Sequence, residues 1–172
     1  ADADIDQAAE VGVKARMINC GQSCIAAKRF IVHHSVYDDF MTVFMQKMKQ
    51  LKQGDPNQDG IDYGPMARKD LANELLEQGR TSVDKGAEVL LGGERPDAPG
   101  AFFNATVLAN ITPGMPAYDE ELFGPVATVF TVKDENEAVR LANDSPYGLG
   151  GSVWTRDIDR GKQFVRRIES GA

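Results

Sequence analysis

Apolar and polar positions along this chain follow two periods in turn. From residue 5 to 18, Ile5, Ala8, Ala9, Gly12, Ala15 and Ile18 recur at helical spacing, which predicts an amphipathic helix. Asp4 stands as its N-cap and Gln7, three residues on, as the capping-box partner. The run 29–32 is strand-like. A second helix follows, with Val36, Phe40, Val43, Phe44, Met48 and Leu51 on one face and Lys47, Lys49 and Lys52 near its negative C-terminal end. Gly54 stops it, and 54–60 is turn chemistry throughout. The acidic residues of that connector lack the closing glutamate of a calcium loop.

A third helix is expected over 68–85 with Leu71, Leu75, Gly79 and Val83 inward, then strands over 87–91, 102–108 and 126–132. Asp134 caps a helix carrying Ala138, Leu141 and Ala142. A strand at 151–155 and a last helix follow, the helix capped by Asp157 with Ile158, Gly161, Phe164, Val165 and Ile168 inward. Strands alternate with helices and are apolar on consecutive positions, as doubly covered strands are. The expectation is an α/β fold: one three-layer αβα domain over residues 1–172 with a mostly parallel open sheet.

Composition narrows the function. A formal charge of −7, with 19 Lys+Arg against 26 Asp+Glu, argues against nucleic-acid and anionic-membrane surfaces, which favour basic patches. No apolar run approaches the ~18 residues of a membrane helix, and no signal segment opens the chain. Two cysteines do not make a disulfide framework, so a reducing, cytoplasmic compartment is expected. His33 and His34 follow a strand with no further ligands at metal spacing, so no metal site is expected. Neither a G-x-G-x-x-G nor a Walker loop occurs, and Gly148-Leu149-Gly150-Gly151 precedes a strand and reads as a turn. The chain opens at a helix start, at Ala1-Asp2-Ala3-Asp4, and stops at Ser170-Gly171-Ala172, where a strand is expected next. Those ends are expected to be those of an excised domain.

Both thiols lie in Asn19-Cys20-Gly21-Gln22-Ser23-Cys24, on the connection between the first helix and the first strand. A lone cysteine is most often a small buried hydrophobe. A nucleophilic one needs nearby amides, a base or a positive charge to favour its thiolate, and Gly21 lets the backbone turn amides toward such a sulfur.

Two motifs tip this balance. Gly21-Gln22-Ser23-Cys24 with Ala26-Ala27-Lys28-Arg29-Phe30 resembles the active-site cysteine segment of the NAD(P)-dependent aldehyde dehydrogenase superfamily, and Glu120-Glu121-Leu122-Phe123-Gly124-Pro125-Val126 resembles a second motif of that family, in the right order. The likeness runs through the chain, including Tyr63-Gly64-Pro65, Ala142-Asn143-Asp144 and Tyr147-Gly148-Leu149, and is closest to bacterial succinate-semialdehyde dehydrogenases. It implies that Cys24 is the catalytic nucleophile, that Glu121 accepts hydrogen bonds from the nicotinamide ribose of NAD or NADP, and that Phe123 packs beside that ribose. It implies a small aldehyde substrate, succinate semialdehyde first, and a parent enzyme that is a homo-oligomer.

The family's general-base glutamate lies in a Glu-Leu-Gly-Gly stretch, which does not occur here. The cofactor-binding and oligomerisation segments are also expected to lie outside this chain, so the chain alone is expected to be inactive. Cys20 stands where the family often has no thiol, and a Cys20–Cys24 disulfide would block catalysis reversibly. Two alternatives stay open: acyl transfer to coenzyme A from the same nucleophile, and a non-catalytic thiol-bearing interaction module.

Overall fold

A computed structural model describes residues 2–171; Ala1 and Ala172, the outermost residues of the two terminal stretches, lie outside it. Among the described residues four strands form one open sheet in the order β1-β4-β3-β2. These are β1 (Arg29–His33), β2 (Glu88–Leu91), β3 (Thr106–Ala109) and β4 (Val126–Val132). β4 runs parallel to both β1 and β3, and β2 is antiparallel to β3 at one edge. The helices are α1 (Ile5–Met17), α2 (Tyr37–Gln50), α3 (Lys69–Asp84), α4 (Pro116–Asp119), α5 (Glu135–Asn143) and α6 (Ile158–Val165).

Side chains alternate across a strand, so neighbours on β1 report on opposite faces. Phe30 meets Phe44 of α2 at 4.8 Å between ring centroids, with Gly12 of α1 close beside it. Arg29 points the other way, over the rings of Tyr118 in α4 and Phe130 in β4. On that second face α3 is joined to α4 by Ser82, whose hydroxyl accepts the Ala117 amide at 2.9 Å and donates to the Gln78 carbonyl at 2.8 Å. The expected three layers are present, with β4 wholly buried between them but for Thr131. Asp4, Asp134 and Asp157 cap α1, α5 and α6 as read from the sequence.

Several expectations are corrected. Residues 151–155 form no strand: a strand needs a neighbour's hydrogen-bond ladder, and a cleft separates this segment from the edge strand β1. The strand expected over 102–108 shrinks to Thr106–Ala109, because the preceding backbone groups bond elsewhere. Gln53 donates to the Phe103 carbonyl, Asn104 N–H to the Glu94 carbonyl, and Ala105 N–H to the Tyr63 hydroxyl. In α3 the buried positions are Ala72, Leu75 and Ser82, and Val83 faces outward. The Ser82 joint to α4 turns the helix that way. No residue of α6 is fully buried: of the expected inward face Gly161 and Phe164 are half-buried, as is Ile168 just beyond the helix, while Ile158 and Val165 are exposed. Ile18 is exposed as well, since α1 ends one residue earlier.

Candidate active site

The first motif leaves α1 through three consecutive left-handed residues: Asn19, Cys20 and Gly21 have φ of 50°, 55° and 72°. Left-handed backbone is costly for residues with a Cβ, and local contacts hold it here. The Gln22 N–H donates to the Asn19 carbonyl at 2.9 Å, and the Asn19 side-chain amide donates back to the Gln22 carbonyl at 3.0 Å. Gly21 is required by space as well as by φ. A Cβ there would lie 2.1 Å from the Gly124 carbonyl oxygen, so the two motifs touch backbone to backbone.

Arg16, on the last turn of α1, locks this junction from beneath. It is wholly buried and donates to the Gly21 carbonyl at 2.6 Å and to the Val126 carbonyl at 3.3 Å, tying helix, thiol loop and β4 together. Burial pushes the guanidinium down to about 10, opposed by the negative charge of Glu121. Cys20 is buried near Arg16, and burial pushes its thiol up to about 11. Cys24 is exposed, on the turn that follows, and both thiols are free.

Lys28 joins the two motifs from above. Its ammonium lies 2.9 Å from Glu121 Oε1, with the two side chains 17 % and 29 % exposed. It also donates to the carbonyls of Ser23 at 3.2 Å, Cys24 at 3.4 Å and Ala26 at 3.3 Å. The Phe123 ring is exposed below it, with its centroid 5.7 Å from the ammonium. Cys24, Lys28 and Glu121 all line one open cleft of about 1400 Å³. Gln22 accepts the Ala67 amide at 2.7 Å and so pins the loop to the segment that leads into α3.

The structure therefore gathers Cys24 with Glu121 and Phe123, about a hundred residues further along the sequence, around Lys28. The rings of His33 and His34 meet at a tilt, 4.5 Å between centroids, and no cluster of metal-ligating residues occurs among the described residues. Neither Arg16 nor Lys28 was singled out as a site residue by pattern. Arg16 had a usable signal, since Ala9, Val13 and Arg16 fall at i, i+4 and i+7 on one buried face. Lys28 lies inside the first motif, yet pattern gives it no role, because its partners are backbone carbonyls and a distant carboxylate.

The aldehyde dehydrogenase family profile matches residues 1–172. The chain belongs to the aldehyde dehydrogenase family. Among curated relatives it is 45 % identical over 168 residues to a succinate-semialdehyde dehydrogenase [NADP(+)] of Deinococcus radiodurans, covering 98 % of this chain and 35 % of that protein. A probable succinate-semialdehyde dehydrogenase [NADP(+)] of Synechocystis is also 45 % identical, over 171 residues covering 99 % of this chain and 38 % of the relative. Among solved structures, the succinic semialdehyde dehydrogenase of Streptococcus pyogenes in complex with NADP+ superposes with a TM-score of 0.95 at 38 % identity, over 99 % of this chain and 38 % of that one. The chain thus spans little more than a third of the length of these relatives. The fold read from the alternation of elements is the aldehyde dehydrogenase one, and no helix among the described residues is long and apolar enough to cross a membrane.

Proposed function

We propose that this chain carries the thiol chemistry of an NADP-dependent succinate-semialdehyde dehydrogenase. The observation that carries the reading is the convergence of the exposed Cys24 turn, Glu121 and Phe123 on Lys28, with Cys24, Lys28 and Glu121 lining one cleft. Substrate and cofactor follow from the names of relatives 45 % identical to this chain, with NAD kept as the other cofactor the family uses. The donor set fits a nicotinamide ribose: a carboxylate at the cleft accepts hydroxyl donors, and a partly exposed aromatic ring offers a face beside them. Bound there, the nicotinamide would accept a hydride.

In this reading the Cys24 thiolate attacks the aldehyde carbon, forming a C–S bond and a thiohemiacetal oxyanion. The backbone amide of Cys24 donates to that oxyanion, a type of contact worth about 3 kcal/mol. When the oxyanion collapses, the carbon gives up a hydride, which carries both electrons of the C–H bond, and becomes a thioester. Water then cleaves the C–S bond, releasing the carboxylic acid and the thiol. Glu121 orients the ribose throughout and exchanges no proton. The same reading makes the working protein a cytoplasmic homo-oligomer, which rests on the family resemblance alone.

In the full-length protein, Cys24→Ser is expected to lower aldehyde-dependent NADP reduction by about three orders of magnitude or more. Mass analysis after quenching the parent with aldehyde and cofactor should find an acyl adduct on the Cys24 peptide. Turnover unaffected by Cys24→Ser would overturn the reading.

A further inference from the structure

Lys28 is built into the molecule at both ends. Its carbonyl accepts two hydrogen bonds from Thr128 of β4, from the amide and the hydroxyl, each 3.0 Å long. Its backbone is therefore fixed on the central strand, while its ammonium reaches back over the turn that precedes it. Three N–H groups face four acceptors, the carbonyls of Ser23, Cys24 and Ala26 and the carboxylate of Glu121, so the protons are shared among them.

The peptide geometry adds a consequence. In a trans peptide the C=O of one residue and the N–H of the next point in opposite directions. Because the Ser23 carbonyl is drawn toward Lys28, the Cys24 amide is turned away from it. That amide is the donor the proposed reaction assigns to the oxyanion. We propose that Lys28 is a positioning residue that sets the peptide plane of the Cys24 amide and couples it to the cofactor carboxylate Glu121. The proposal deepens the dehydrogenase reading and rests on it for the roles of Cys24 and Glu121. A change at Glu121, from hydrogen bonding or from a lost charge, then reaches the Cys24 turn through one ammonium group.

The test is a double-mutant cycle read as the rate of Cys24 alkylation by iodoacetamide, followed by peptide mass mapping on this chain, with thermal unfolding confirming that each variant is folded. Glu121→Gln is expected to change the rate by about threefold when Lys28 is present and not at all beside Lys28→Met. Lys28→Arg, which keeps the charge and the stem, should restore the dependence on Glu121 and also keeps the test alive if Lys28→Met fails to fold. A Glu121→Gln effect of equal size in both backgrounds, or none in the parent, overturns the proposal. The assay involves no cofactor and no turnover, so its failure is separate from a failure of the dehydrogenase reading, which Cys24→Ser in the full-length protein reports.

Discussion

At the scale of single residues, the two thiols of one short loop have opposite environments. Cys20 is packed beside Arg16 and near Tyr63, and burial raises its pKa from the ordinary 9.0 to about 11. The native state then holds the Cys20 proton at pH values where the unfolded chain has lost it. The resulting stabilisation is complete below about pH 9 and falls as pH rises toward 11. Arg16 acts with the other sign, but only above about 10, where its native form starts to deprotonate early. Between about pH 9 and 10, urea unfolding should therefore show the parent losing up to about 1.4 kcal/mol more than Cys20→Ala. Equal slopes for the two proteins would mean that Cys20 is not a buried thiol. Of the two thiols of the expected Cys20–Cys24 disulfide, Cys20 is buried beside Arg16 and Cys24 is exposed, and both are free. The nucleophile candidate was legible in sequence because its motif is local. The residues that hold its turn were legible only in part: Arg16 falls on the buried face of α1, but both it and Lys28 act on carbonyls whose positions only the fold supplies.

At the scale of elements, periodicity succeeded where an element packs on both sides of its contact and failed where it stands in the open. The α2 pattern was right at Phe40, Phe44 and Met48, all buried against α1 and β1. The α6 pattern is as regular, yet Ile158 and Val165 are exposed because amphipathicity states only that a face is apolar. The energetic consequence separates α3 from α6. Leu75, 2 % exposed and packed at Gly124 beneath the second motif, should cost about 3 kcal/mol as Leu75→Ala. Val165→Ser should stay within about 0.5 kcal/mol. Urea denaturation of the two variants checks both, and a large loss for Val165→Ser would mean that α6 has a packing partner in solution. The strand expected at 102–108 failed for a different reason. Side chains and loop carbonyls from Gln53, Tyr63 and Glu94 occupy its backbone groups, and no local sequence signal encodes those distant partners.

At the scale of the whole molecule, segment 146–171 is attached to the sheet layers differently from everything before it. Its contacts are polar and lie at the surface. Asn143 donates to the Arg167 carbonyl at 2.9 Å and accepts the Glu169 amide at 3.0 Å, Arg167 donates to Asn136 at 2.7 Å, and Arg160 pairs with Glu135. Asp2 receives the Thr155 hydroxyl and the amides of Arg156 and Asp157. Against these stand Tyr147, Leu149, Trp154, Ile158 and Val165, all exposed, and the cleft that parts the segment from β1. Few buried apolar contacts mean a low free energy of local opening, whereas β4 opens only with the whole domain. Amide hydrogen exchange should therefore be fastest in 146–171 and slowest in β4. The Ala142-Asn143-Asp144 connector, which the sequence offered only as a point of likeness, has a physical task here. Asn143→Ala removes both bonds to the end of the segment, and at about 1 kcal/mol each it should speed exchange there about thirtyfold while leaving β4 unchanged. Equal acceleration in β4 would show that the segment unfolds only together with the sheet.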